Sequence, residues 1–211
     1  MGAPGSGKGT QSKILKDLYD IAHISTGDML RSEVELKTKL GLDIKNLLDK
    51  GSLIDDEIMT NLIKQRIVKN DCANGFILDG YPRTINQAKL LDDIFANLKI
   101  VDYKVIEIDI ADEVIVNRIL GRYSCSDCNS IYNDYFLPTK EHGICDKCGG
   151  RNLHRRTDDN LDTVKSRLKT YHEQSYPVLS YYKDKKKSYT IKGDLDSESC
   201  KKVLSEIIDR V

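Results

Sequence analysis

Gly2-Ala3-Pro4-Gly5-Ser6-Gly7-Lys8-Gly9-Thr10 opens the chain, and its reading decides the fold. It carries the G-x4-G-K core of a phosphate-binding loop. Glycines at this spacing let the backbone curl so that successive N–H groups point at phosphate oxygens. A helix-period pattern starts directly behind the loop, so the positive end of a helix faces the same anion. Lys8 can reach the outer phosphates. Two details depart from the general signature: Gly9 follows the lysine, and the hydroxyl residue comes one place later, at Thr10. A loop of this kind ordinarily follows a buried strand, and only Met1 precedes it. A chain extended by about five apolar residues, one strand's length, is therefore expected to be the more stable.

Outward from the loop, helix and strand periods alternate. Residues 8–20 place Ile14, Leu15 and Leu18 on one helical face. Ser25-Thr26-Gly27-Asp28 reads as a cap before a short helix to about Glu35. A helix over 38–50 carries Leu40, Ile44, Leu47 and Leu48, with Gly51 as its stop. Asp55 caps a helix to about Asn70. Residues 75–79 form a short apolar run ending in a carboxylate, closed by Gly80 and Pro82. Helix 84–96, strand 103–110 and helix 112–120 follow. A long helix over about 161–182, bent at Pro177, then strand 188–192 and helix 196–209 complete the pattern. Strands separated by helices predict an α/β fold, a parallel sheet covered by helices on both faces.

Residues 122–157 break this alternation. The segment is poor in aliphatic residues and cannot build a core of its own. It holds Cys125-x2-Cys128 and Cys145-x2-Cys148, with 16 residues between the pairs. Two such turns can aim four thiolates at one ion, the spacing of a closed structural zinc site that would replace the absent core. The same four thiolates also suit iron. Cys72 and Cys200 stand alone and read as buried thiols.

The 211 residues carry 33 Lys+Arg against 33 Asp+Glu, a formal net charge of zero. That argues against a nucleic-acid partner gripped by bulk charge, and equally against an anionic membrane surface. No apolar stretch approaches the ~18–20 residues of a membrane span or makes a signal peptide. Reduced-thiol chemistry then points to the cytoplasm. The 33 basic residues divide into 23 Lys and 10 Arg. Arginine is retained where a planar fork must grip phosphate, which a lysine point charge cannot do.

Beside the loop, ISTGDMLR at 24–31, GFILDGYPRT at 75–84, GR at 121–122 and RTDDN at 156–160 occur in order along nearly the whole chain. Together these motifs resemble the adenylate kinases, and the four-cysteine segment resembles the zinc-bearing lid of their long-lid members. The resemblance implies a phosphate-loop nucleoside monophosphate kinase acting as a monomer. It would convert ATP and AMP to two ADP with Mg2+, without a protein nucleophile. It implies a core of 1–24, 55–121 and 160–211, an AMP-binding insertion over 25–54 and a lid over 122–159. Phosphate contacts fall on Lys8, Arg31, Arg83, Arg122, Arg156 and Arg167, with Arg31 and Arg83 toward AMP, Arg122 toward ATP, and Arg156 and Arg167 between the two. Arg155 adjoins Arg156, and Thr157-Asp158-Asp159-Asn160 aligns the motif on Arg156. ATP would lie along Gly5, Ser6, Gly7, Lys8, Gly9 and Thr10, with Ile131 and Tyr132 beside it and a backbone contact near Leu195. AMP would be held by Thr26, the backbone at Ser52, Leu53 and Ile54, and Gly80, Tyr81, Pro82 and Gln87, the last facing the base. Asp79 would be the Mg2+-associated carboxylate. Another acceptor base, a zinc-ribbon nucleic-acid module and a regulatory phosphate-loop NTPase are the competing readings.

Overall fold

The computed structural model describes residues 1–37, 39–50 and 52–209, and the side chains among them apart from Lys39 and Leu40. The expected stop at Gly51 and the inward face at Leu40 lie outside the described residues. Helix α1 (Lys8–Tyr19) leads directly out of the glycine loop and into β1 (Ala22–Ser25). Ser25 caps α2 (Thr26–Glu35) by accepting the Asp28 N–H at 3.3 Å. Helix α3 (Lys39–Asp49) follows, then α4 (Asp56–Ile67), capped by Asp55, and β2 (Phe76–Asp79). Next come α5 (Ile85–Asn97), β3 (Val105–Asp109) and α6 (Asp112–Leu120). Three short strands, β4 (Arg122–Cys125), β5 (Ile131–Asn133) and β6 (Leu153–His154), build the cysteine-bearing segment. Helices α7 (Leu161–Thr170) and α8 (Tyr176–Asp184), strand β7 (Ser188–Lys192) and helix α9 (Ser197–Ile208) complete the chain.

The parallel sheet forms as two pairs among the described residues, β1 with β2 and β3 with β7. Met1 lies along β3: its ammonium donates to the Ile106 carbonyl, and its carbonyl accepts the Ile108 N–H at 3.0 Å. Helix α1 spans both pairs. Its Leu15 packs with Ile108, Ile191 and Leu204 and is met by Ile77 of β2. All four parallel strands end on the same side as the glycine loop, where open α/β sheets carry their ligands.

The expected long helix over 161–182, bent at Pro177, runs as α7 and α8 through a π-helical turn over Tyr171–Ser175. Pro177 explains the widened turn. It donates no N–H, and its ring would strike the carbonyl four residues back, so the preceding turn widens and the proline takes the first turn of α8. The strands also start later than the periodicity suggests, at Phe76 and Val105. Helix α4 gives way after Ile67 to a short 3-10 turn at Asn70–Cys72.

The glycine loop rests on α6. Gly5 has φ +81°, and a Cβ there would lie 2.8 Å from Ile119 Cγ1, while Gly7 has φ +100° and open space around it. Ile115 and Ile119, fully buried with Val164 of α7, form the floor beneath the loop. Gly5→Ala is therefore expected to cost more stability than Gly7→Ala, because it adds an atomic overlap to the same strained backbone region. Thermal melting should rank wild type above Gly7→Ala and Gly7→Ala above Gly5→Ala. The reverse order would contradict the α6 contact.

Candidate active site

A cleft of about 1420 Å3 opens over the glycine loop, between α1, the 25–54 segment and the three-stranded segment. Lys8 sits at its base as the first residue of α1, and its Nζ donates to the carbonyls of Gly2 and Ala3, each at 2.8 Å. The ammonium is thus held above the loop. Burial pulls its pKa from 10.5 to about 8, and the positive charges of Arg83, Arg167 and Arg122 add to the fall against the opposing pull of Asp79.

Arg83, Arg156 and Arg167 face the same space. Burial lowers Arg83 and Arg156 to about 10 each and lowers Arg167 too, and neighbouring guanidiniums deepen each shift. These groups stay protonated, but the direction shows a site where positive charge is crowded and under-solvated. Arg83 comes from the turn after β2, where its Nε donates to the Gly80 carbonyl at 2.7 Å. Arg122 opens β4 and makes a forked pair with Asp159, whose side chain is only 2% exposed; the Nε–Oδ2 distance is 2.8 Å. Arg167 of α7 pairs with Asp158 at 3.0 Å. Arg31 of α2 pairs with Asp28 at 2.5 Å.

Arg155 and Arg156 part company. Arg156 lines the cleft. Arg155 turns outward: it bonds the Leu120 carbonyl at 3.0 Å and Asp134 at 2.6 Å, with its guanidinium 5.7 Å from the Tyr123 ring centroid. It ties the segment's outer strands to the end of α6.

Asp79, the last residue of β2, faces His23 Nε2 at 3.3 Å. Burial pushes its carboxyl up, but the His23 hydrogen bond and the Lys8 charge outweigh that, and the group lies below the ordinary carboxylate value. A Cβ on Gly9 would lie 3.3 Å from its Oδ2, so this ionised carboxylate sits directly against the first turn of α1.

Thr10, Ile131, Leu195, Ser52, Leu53, Ile54, Tyr81 and Pro82 also line the cleft. Three expected contacts are occupied within the protein. The Thr26 hydroxyl donates to the carbonyls of Asp79 and Gly80 at 3.2 and 3.0 Å, latching α2 to the end of β2. The Gln87 amide oxygen accepts the Arg83 N–H at 2.8 Å, and its nitrogen donates to Asp56 at 2.7 Å. Gln87 therefore shapes the Arg83 turn and keeps one N–H and one lone pair for anything else. Tyr132 is 6% exposed, stacks on Tyr123 at 5.6 Å, and carries its hydroxyl 3.2 Å from Cys145 Sγ. It packs inside the segment more than it faces the cleft.

The sequence reading gave no role to Asp158 and Asp159, which hold two of the arginines, or to His23. It also passed over Arg118, whose guanidinium lies 5.9 Å from the Phe136 ring centroid at the cleft wall. Two adjacent acids beside a scarce arginine, and one more of ten arginines, were the available signals.

The four cysteine Sγ atoms lie within 4.8 Å of one another. Cys125–Cys148 and Cys128–Cys145 are 3.6 and 3.5 Å apart, and all six cysteines of the chain are free thiols. The edge of an MS4 tetrahedron with ~2.3 Å metal–sulfur bonds is about 3.8 Å, so this donor set fits a metal ion. The two turns repeat one another. Asn129 N–H donates to the Cys125 carbonyl at 2.9 Å and Gly149 N–H to the Cys145 carbonyl at 2.8 Å, and both donors adopt positive φ, +57° and +73°.

The model of the adenylate kinase family matches residues 1–187. The adenylate kinase of Thermosipho africanus is 46% identical over 211 residues, covering 100% of this chain and 98% of that protein. The adenylate kinase of Caldicellulosiruptor saccharolyticus is 44% identical over 208 residues, 98% and 96% of the two chains. That of Enterococcus faecalis is 42% identical over 209 residues, 99% and 97%. With a glycine loop, a cation-lined cleft and alignment along its full length, the chain belongs to the adenylate kinase family.

Proposed function

We propose that the cleft transfers the terminal phosphoryl group of MgATP to AMP, reversibly giving two ADP, through positioning and charge stabilisation by Lys8, Arg83, Arg122, Arg156 and Arg167. Family membership carries the reaction, and the convergence of these five cations over the loop supports their roles. The attacking oxygen of AMP is already ionised, so no protein base is required. The chain must hold two polyanions in line, neutralise charge on the transferring oxygens and keep water out.

The loop N–H groups and Lys8 would cradle the ATP phosphates. Arg31 and Arg83 would hold the AMP phosphate, while Arg122, Arg156 and Arg167 bridge toward the transferred group. Arg118 beside Phe136 offers a planar guanidinium and a ring at the cleft wall, a surface suited to a purine face. Ser52, Leu53 and Ile54 and the free positions of the Gln87 amide would meet the acceptor base. Asp79 would face Mg2+ through water, since Mg2+ keeps part of its hydration shell. Mg2+ supplies neutralisation across the phosphate oxygens when bound with ATP. The segment 122–159 acts as a lid and 25–54 as the AMP-binding arm, both closing over the remaining core. Four thiolates hold structural Zn2+ in that lid. A monomer working in the cytoplasm completes the reading.

In a coupled assay, ADP should form from ATP only when AMP is present. A panel of AMP, UMP, CMP and GMP acceptors distinguishes adenine selectivity from that of another nucleoside monophosphate kinase. Arg83→Lys should lose more than ~10²-fold in kcat, because a point charge replaces a two-point donor. Near-wild-type turnover would remove Arg83 from the proposed machinery.

Lys8 also predicts a pH profile. Its pKa in the free site is about 8, so the ammonium is charged below that pH and neutral above it. kcat/KM, which reports the free enzyme, should therefore fall above about pH 8. A profile flat to pH 10 would show that Lys8 charge does not govern encounter with the nucleotides.

The metal reading is checked by elemental analysis and chelation. One Zn2+ per chain is expected. Its removal should lower the melting temperature and increase proteolysis within 122–159 while the glycine loop stays protected. Freely titrating thiols in metal-free protein of unchanged stability would refute the structural zinc.

A further inference from the structure

Helix α7 makes an unusual use of its hydroxyls. A Ser or Thr inside a helix commonly donates back to the carbonyl of its own preceding turn. Thr170 does so, bonding the Ser166 carbonyl at 3.0 Å. Thr163 and Ser166, on the same helix, do not. Thr163 Oγ1 donates to the Asp49 carbonyl at 3.1 Å, and Ser166 Oγ to the Lys50 carbonyl at 2.8 Å, across 114 and 116 residues of sequence.

Their acceptors lie at the carboxyl end of α3. The last carbonyls of a helix have no partner within it and carry the negative end of its dipole. Ser52 N–H turns back to the Leu47 carbonyl at 3.0 Å, one turn earlier, and leaves the final two carbonyls to α7. The same face of α7 carries the arginine: positions 163, 166 and 167 are related by three and four residues and project together. Arg167 leaves that face toward the cleft, steadied by Asp158. Beyond Lys50, the residues Ser52, Leu53 and Ile54 line the cleft.

We propose that Thr163 and Ser166 are positioning residues for the acceptor side of the reaction. Their hydroxyls dock the end of α3 on the helix that carries Arg167, so that seating of the 25–54 arm and presentation of Arg167 to the acceptor phosphate occur together. Neither hydroxyl needs to touch a nucleotide. Each acts through the backbone it holds, at the end of the 25–54 arm that continues into the AMP side of the cleft. This rests on the adenylate kinase reading above.

The test compares Ser166→Ala, Ser166→Thr and the double variant Thr163→Val/Ser166→Ala with wild type, by initial rates with ATP and AMP varied separately. The wild type must form ADP from ATP and AMP; if it does not, the reaction itself has been misread. Given that activity, the loss of one hydrogen bond should raise KM for AMP about threefold in Ser166→Ala, and the loss of two about tenfold in the double variant. KM for ATP should stay within twofold, and Ser166→Thr, which keeps a hydroxyl, should behave as wild type. Melting curves are measured alongside. Ser166 is partly exposed, so its alanine variant keeps the question answerable if the double variant is destabilised. An unchanged KM for AMP in Ser166→Ala, or an equal rise in both KM values, would overturn the proposal and leave the two hydroxyls as caps of α3 only.

Discussion

Like charges crowded in a half-dry cleft repel one another, and the surrounding architecture is arranged to hold them there. Lys8, Arg83, Arg156 and Arg167 are all pulled below their ordinary pKa values by burial, with neighbouring cations adding to the shift and carboxylates opposing it. Left alone, such a cluster would open toward water. Tethers hold four of the cations in place. Lys8 is tied to loop carbonyls, Arg83 to Gly80, Arg122 to Asp159 and Arg167 to Asp158. The carboxylates and carbonyls fix direction without cancelling the field, and a bound polyphosphate would supply the missing counter-charge. Under the proposed function, the electrostatic strain of the cluster would itself be a source of nucleotide affinity.

The tethers also explain why the cations are spread along the chain. Lys8 comes from the loop, Arg31 from α2, Arg83 from the turn after β2, Arg122 from β4, Arg156 from the strand exit after β6, and Arg167 from α7. No local segment holds two neighbouring members of the cluster, so the full field exists only where six elements meet. Parallel strands ending on one side provide that meeting place, and α1, packed on both strand pairs, sets the loop beneath it.

What the sequence made legible followed rules of spacing and residue chemistry. Glycines at fixed intervals before a helix, cysteine pairs and a scarcity of arginine each point to one physical demand. What it concealed depended on three-dimensional partners. Nothing in the spacing tells that the Gln87 amide serves the Arg83 turn and Asp56, or that the Tyr132 hydroxyl faces a cysteine. The bend near Pro177 is legible in the sequence, but the form it takes, a π-helical turn over Tyr171–Ser175, is not. Asp158 and Asp159 read as ordinary polar residues until the fold places Arg167 and Arg122 against them.

The cysteine segment shows how little apolar material is needed when thiols take the place of a core. Its buried cluster is Cys125, Tyr132 and Cys145, flanked by Tyr123, Cys128 and Leu153. That is too small to hold three short strands by hydrophobic burial alone. Yet Arg122 opens the strand that ends at Cys125, and Arg156 follows two residues after β6, which pairs with that same strand. An error of about one ångström in either guanidinium would weaken its hold on a phosphate oxygen. Under the proposed function, the four-thiol centre would thus support the phosphate site at one remove. A metal held by the four thiols would fix β4 and β6, and with them the starting points of two of the arginines in the cation cluster.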